Sequence, residues 1–183
     1  MLLIFDILFF TNLGIEMKKY LEISIAIMLM QFVGCSSPAV HATLEEDKAL
    51  LAKGSPDGLN NMGTRYQFGD GVPQDYNKAF RLYQKAANAG LPIAKTNLGY
   101  MYDNGLGVQQ NKKRAIYLYK SAAKEGEPRS MINLGEMYRT GDNIEKSLQK
   151  ACVWYDKARF ATQSSSDMQA KWTARGALDK FCK

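Results

Sequence analysis

The chain has one histidine in 183 residues, His41. Everything after it therefore lacks an imidazole. That excludes Ser-His-Asp and Cys-His nucleophile arrangements and any His-ligated zinc site from the bulk of the protein. Long apolar runs are equally scarce. The stretch Leu21 to Gly34 is broken near its start by Glu22 and is too short for a spanning helix, which needs about 20 apolar residues. Dense basic runs are missing too, the longest being Lys112-Lys113-Arg114. No Gly-x-Gly-x-x-Gly or Gly-Lys-Ser/Thr phosphate cradle is completed, and Asp70, Asp103 and Asp142 do not form an alternating-carboxylate calcium loop. No cofactor or metal is expected.

What is present begins with a leader. Met17-Lys18-Lys19 reads as the charged start of a secretory signal extending over 17–42, with residues 1–16 as a start-site artefact upstream of the true initiator. Two exits compete. Val40-His41-Ala42 places small residues where signal peptidase needs them. Phe32-Val33-Gly34-Cys35 resembles the bacterial lipoprotein box, in which Cys35 is lipidated and anchors the chain to a membrane. An uncleaved anchor is the third alternative. The first two place the protein in the bacterial periplasm or at the outer membrane. Once Cys35 is set aside, Cys152 and Cys182 remain, an even number that in an oxidising compartment suggests one disulfide. The alternative is two buried thiols.

The mature part carries 22 basic against 15 acidic residues. A basic balance permits contact with anionic glycan or lipid, or reflects only a solvated lysine-rich surface. Apolar content of 46% excludes wholesale disorder.

A 36-residue period dominates the chain beyond the leader. Met62-Gly63, Leu98-Gly99 and Leu134-Gly135 keep that step. So do Gly69, Gly105 and Gly141, then Ala79, Ala115 and Ala151, then Tyr83, Tyr119 and Tyr155, then Ala86, Ala122 and Ala158. Such self-similarity marks an all-α solenoid whose units bury their apolar faces against neighbouring units. Each unit reads as two helices. The first follows Gly54, Gly90 or Gly126 with proline in its first turn, and the second starts at the N-caps Asp75, Asn111 or Ser147. Gly63, Gly99 and Gly135 fall inside the first helix. Glycine there costs roughly 1 kcal/mol relative to alanine, which implies a crossing with no room for a Cβ. The organisation expected is a half-unit helix at 43–54, repeats at 55–90, 91–126 and 127–162, and a capping helix in 163–183 carrying Met168, Trp172, Leu178 and Phe181.

The pattern Asn-Leu-Gly-x-x-Tyr, Gly-x-Gly-Val and Ala-x-x-x-Tyr-x-x-Ala-Ala-x-x-Gly resembles the Sel-one-like repeat, a 36-residue relative of the tetratricopeptide repeat. Residues 94–126 match it throughout, and the third unit departs from it at Asn143, Arg159 and Thr162. The resemblance implies a right-handed, tetratricopeptide-like superhelix that binds protein or other partners, with no particular reaction. Bacterial relatives are often exported.

Two Ser-x-x-Lys matches, Ser121 to Lys124 and Ser147 to Lys150, are chance occurrences. Neither Ser-Asp-Asn nor Lys-Thr-Gly accompanies them. A hydrolase or β-lactam-interacting enzyme is therefore disfavoured, and the chain is read as a non-catalytic, monomeric scaffold for a protein or peptide. The alternative is a basic module touching envelope glycan or lipid. Nucleic acid is not expected, because the tyrosines recur in packing register rather than as a stacking surface. The binding face expected is the side of the first helices that changes freely between units: Thr64, Gln67, Thr96, Tyr100, Asp103, Glu136 and Arg139, with Asn60 and Ile132 as counterparts of Thr96. In related tetratricopeptide solenoids this face lines the concave groove.

Overall fold

Glycine, proline and short polar caps divide the chain into helices of nearly equal length. A computed structural model describes residues 38–163 and 167–182, with side chains from residue 43 onward. The expected start-site artefact and lipidation at Cys35 lie outside the described residues, as does nearly all of the expected signal segment. Among the described residues, those from Ala42 onward form one compact unit. The described helices are α1 (Pro38–Ala52), α2 (Pro56–Phe68), α3 (Tyr76–Asn88), α4 (Pro92–Asn104), α5 (Lys112–Lys124), α6 (Pro128–Thr140), α7 (Leu148–Ala161) and α8 (Met168–Phe181). No strand occurs among the described residues.

The second unit shows how these boundaries arise. Gly90 sits at φ 93°, a left-handed conformation open to glycine, and turns the chain out of α3. Pro92 then opens α4, and Gly105 closes it at φ 70°, its N–H donating to the carbonyl of Met101. Asn111 caps α5 by accepting from the backbone N–H of Arg114. Asp75 and Ser147 act in the same way for α3 and α7.

Within each unit the first helix packs on the second (α2 on α3, α4 on α5, α6 on α7), and each second helix packs on the first helix of the next unit. First helices also touch across units, α4 on α6 and α6 on α8. The result is two layers, with first helices inside and second helices outside. The joint is the recurring glycine. A Cβ at Gly63, Gly99 or Gly135 would stand 2.8, 2.7 or 2.5 Å from the ring of Tyr83, Tyr119 or Tyr155. All three rings are buried, as are the alanines one helical turn before and three residues after each. The recurring glycine is thus explained by ring-to-backbone packing at interior density.

Both ends alter this joint. In α1, Asp47 lies seven residues before Gly54, as Tyr83 lies before Gly90, so a carboxylate occupies the tyrosine's place. It accepts from Arg65 Nε at 2.5 Å and Asn61 Nδ2 at 2.9 Å. In α8, counted from its N-cap Asp167, Arg175 stands where the other first helices have glycine. Three residues after the cap, Gly58, Ala94, Ser130 and Ala170 are all small and buried. That close seat explains why α8 buries Ala170, Ala174 and Ala177, while Met168 and Trp172 of the expected apolar set face solvent. A disulfide joins Cys152 to Cys182, with Cα atoms 5.6 Å apart, and fastens the end of α8 to α7.

Candidate functional site

The inner layer encloses a groove of about 370 Å³. Helix α2 contributes Asn60, Thr64, Gln67 and Phe68, and α4 contributes Ile93, Thr96, Asn97 and Tyr100. Further along, α6 supplies Arg129, Ile132 and Asn133, and α8 closes the end with Gln169, Ala170 and Thr173. Every one of these positions comes from a first helix or from α8, which takes a first helix's place. The Tyr83 hydroxyl alone reaches in from the outer layer.

The floor is a set of paired polar groups. Tyr83 Oη donates to Gln67 Oε1 at 2.7 Å and lies 3.0 Å from Thr64 Oγ1. Asn97 Nδ2 donates to Asn60 Oδ1 at 2.9 Å, linking the first two units. Thr96 and Ser130 hydroxyls meet at 2.6 Å, linking the second and third. Such buried groups are stable only when partnered, and their partners fix their direction. Above this floor stand two exposed rings, Phe68 and Tyr100, the latter 43% exposed. Arg129 is the one charged side chain in the lining, and its Nε is engaged by Asp167 at 2.7 Å.

Of the seven residues expected on the binding face, the structure brings Thr64, Gln67, Thr96 and Tyr100 into this groove. Thr96, at 3% exposure, and Gln67 belong to its buried floor rather than to a solvated face. Asp103, Glu136 and Arg139 do not line it. Asp103 turns toward Lys112, 4.0 Å away, and burial pushes its carboxyl up despite that lysine. Glu136 accepts from the Tyr155 hydroxyl at 2.6 Å and from Arg139 at 2.6 Å. Burial opposes its ionisation, but these two donors hold its carboxyl below the usual range. Arg139 lies over the Phe181 ring of α8 at 4.8 Å. Ion pairing and the capping helix have absorbed all three.

Phe68, Ile93, Asn97, Asn133, Gln169 and Thr173 line the groove without having been expected there. The asparagines carried a signal, since Asn61, Asn97 and Asn133 recur at the 36-residue step, although Asn61 turns to Asp47 instead. The residues of α8 carried none, because the register ends before them.

This arrangement offers carboxamides and hydroxyls in fixed directions between two aromatic platforms. It offers no nucleophile paired with a base. Of the serines in Ser-x-x-Lys matches, Ser147 is the N-cap of α7, and Ser121 sits 3.4 Å from Glu125 on the surface of α5. Among the described residues no cluster of His, Cys, Asp and Glu is suited to holding a metal ion, and no helix is long and apolar enough to cross a membrane.

Stacked helix pairs around a neutral inner groove define an α-solenoid built for binding. The Sel1 repeat matches the chain three times, at residues 56–91, 92–127 and 128–159. The chain belongs to the Sel1 repeat family, which is typically a non-catalytic scaffold. Among solved structures it is similar to a Sel1 repeat protein from Oxalobacter formigenes, at 31% identity over 69% of this chain, with a TM-score of 0.58. It also shares the fold of c5321, a protective antigen of uropathogenic Escherichia coli strains, at 23% identity over 85% of this chain and a TM-score of 0.63. The chain spans 58% of the first protein's length and 32% of the second's. No protein of curated function matches it.

Proposed function

We propose that this protein is an exported, non-catalytic scaffold that holds an extended polypeptide segment in the first-helix groove. The observation that carries this reading is the lining itself. Oriented carboxamides match the donors and acceptors of a peptide main chain, while Phe68 and Tyr100 supply the rigid aromatic contacts that dominate interface energies. Sel1 repeat proteins generally act as protein-interaction scaffolds, in keeping with that chemistry. Export to the bacterial periplasm or outer membrane, by ordinary cleavage after Ala42 or by lipidation at Cys35, is part of the same proposal. The leader over 17–42 supports it. So does the Cys152–Cys182 bridge, since disulfides persist in oxidising compartments. The mature protein acts as a monomer.

A photo-crosslinking amino acid at position 100, in cells expressing the full chain, tests the site. The expected product is a discrete protein adduct in the envelope fraction. The purified partner should then bind Tyr100→Ala at least about tenfold more weakly than wild type. Undiminished affinity in that variant overturns the groove assignment, and uncleaved protein confined to the cytosol overturns export.

A further inference from the structure

The two layers of the solenoid differ sharply in charge. On the outer layer, α3 carries three basic residues, α5 five and α7 three, against a single acid, Asp156. On the inner layer, α2, α4 and α6 hold four basic residues (Arg65, Lys95, Arg129 and Arg139) against three acids (Asp57, Asp103 and Glu136). The net charge noted in the sequence is therefore not spread over a solvated surface. It is carried chiefly by α3, α5 and α7, while the end helices differ: α1 holds Glu45, Glu46 and Asp47 against Lys48, and α8 holds Lys171, Arg175 and Lys180 against Asp179.

Pairing sharpens the asymmetry. Two of the eleven outer cations, Lys112 and Arg159, are half-buried, and these face carboxylates, Asp142 and Asp156. The other nine are exposed. Among the described residues, only Lys78 of these nine has a carboxylate within reach, Asp75 at 3.7 Å. One row is strictly periodic. Lys78, Arg114 and Lys150 each stand three residues after an N-cap, at the same place in successive units. Lys78 and Lys150 lie at the edge where the layers meet, over the Tyr66 and Tyr138 rings at 5.1 and 5.7 Å, and Arg114 lies over Tyr117, which is 65% exposed. Val153, 50% exposed, shares the repeat position of Tyr117, and Phe160, 55% exposed, stands at the far end of α7.

We infer that the outer face of α3, α5 and α7 docks on the surface of a bilayer containing anionic phospholipid, leaving the groove turned away from the membrane. Exposed lysines and arginines are attracted to phosphate headgroups. Their aliphatic stems bury against the interface while the charges stay wet. The exposed tyrosine, valine and phenylalanine give the same face an apolar component suited to the headgroup boundary. That component favours a bilayer over a nucleic acid, for which the face offers no pair of rings set for base stacking. Lysine also predominates on the outer layer, eight residues to three arginines, and it binds phosphate as a point charge rather than through a bidentate fork.

The test is vesicle flotation with the full chain. Vesicles of phosphatidylcholine with about 30 mol% phosphatidylglycerol are compared with pure phosphatidylcholine, a contrast that isolates surface charge. Wild type is expected to bind the anionic vesicles preferentially and to lose at least about tenfold in affinity when salt rises from about 50 to 300 mM, as the Debye length shortens. At roughly fivefold per basic side chain, Lys78→Glu/Arg114→Glu/Lys150→Glu should weaken that binding at least about a hundredfold. Lys120→Glu/Lys124→Glu/Lys157→Glu, away from the N-terminal turns, should do the same and serves if the first variant loses its helical spectrum. Tyr100→Ala should leave vesicle binding unchanged, which separates this face from the groove. Equal binding to both vesicle types, or full binding by a folded charge-reversed variant, overturns the inference. So does a short DNA duplex that binds wild type more tightly than the anionic vesicles do.

Discussion

Gly99 and Tyr119 meet so closely that a Cβ on the glycine would lie 2.7 Å from the ring's Cε1. The ring is buried between helices that cannot separate without opening the next unit. Gly99→Ala should therefore destabilise the fold by about 1–3 kcal/mol through overpacking, although alanine is the better helix former. Gly176 supplies the control. It too is helical but has nothing near its missing side chain, so Gly176→Ala should stabilise by up to about 1 kcal/mol. Opposite signs are expected in urea melts of the two variants, and a shared sign contradicts the packing account.

Arg65 and Asp47 form a buried pair at the other end of the solenoid. Asp47→Ala leaves the guanidinium only Asp70, at 3.2 Å, and the Thr43 hydroxyl, at 2.9 Å, and should cost about 1–3 kcal/mol. Asp47→Leu combined with Arg65→Leu should recover most of that loss, because two matched apolar side chains need no solvation. A double variant as unstable as the single one would show that the pair does more than satisfy itself.

The Cys152–Cys182 bridge should contribute on the order of 2–4 kcal/mol, chiefly by restricting the unfolded chain. Replacing both cysteines by serine and measuring the denaturation midpoint checks this. Non-reducing peptide mapping should show the two residues linked.

Burial pushes the Tyr83 phenol up to about 12 and also raises those of Tyr119 and Tyr155. Tyrosines in the unfolded chain ionise near pH 10. Below that value both states are protonated and the stabilising contribution is complete. Above it the unfolded state loses protons first, so stability falls as pH rises toward 12. Phenolate absorbance should accordingly show three tyrosines that titrate only as the helical signal is lost.

Arg139 distinguishes two roles that its position in the repeat left open. It pairs with Glu136 and covers Phe181, so Arg139→Glu should lower the melting temperature while leaving partner affinity per folded molecule unchanged. Tyr100→Ala should do the reverse.

The N-caps Asp75, Asn111 and Ser147 and the glycine joints were legible in the amino-acid sequence because each rests on a local preference repeated three times. The groove was legible only in part. The 36-residue step identifies positions, but a variable residue on an inner helix can either face a ligand or be consumed by a neighbour. Thr64 and Tyr100 line the groove, Thr64 while bonded to the Tyr83 hydroxyl. Glu136, at the same repeat position, is taken by the Tyr155 hydroxyl. That choice depends on which partner the adjacent helix presents. Helix α8 lies beyond the register altogether, so its share of the groove had no periodic signature.

Arg175 bears on how a chain of this kind changes length over evolution. A second helix laid against α8 would bring its tyrosine onto a long cation instead of a bare backbone, and a first helix laid before α1 would bring its glycine onto Asp47 instead of an aromatic ring. Neither α1 nor α8 thus offers the glycine–tyrosine interlock found within each of the three units. Duplication of an internal block such as residues 91–126 inserts a unit whose two faces already fit its neighbours, whereas tandem addition after α8 requires Arg175 to be replaced at the same time. Gain and loss of units in this lineage should therefore fall between α1 and α8 rather than directly against either of them.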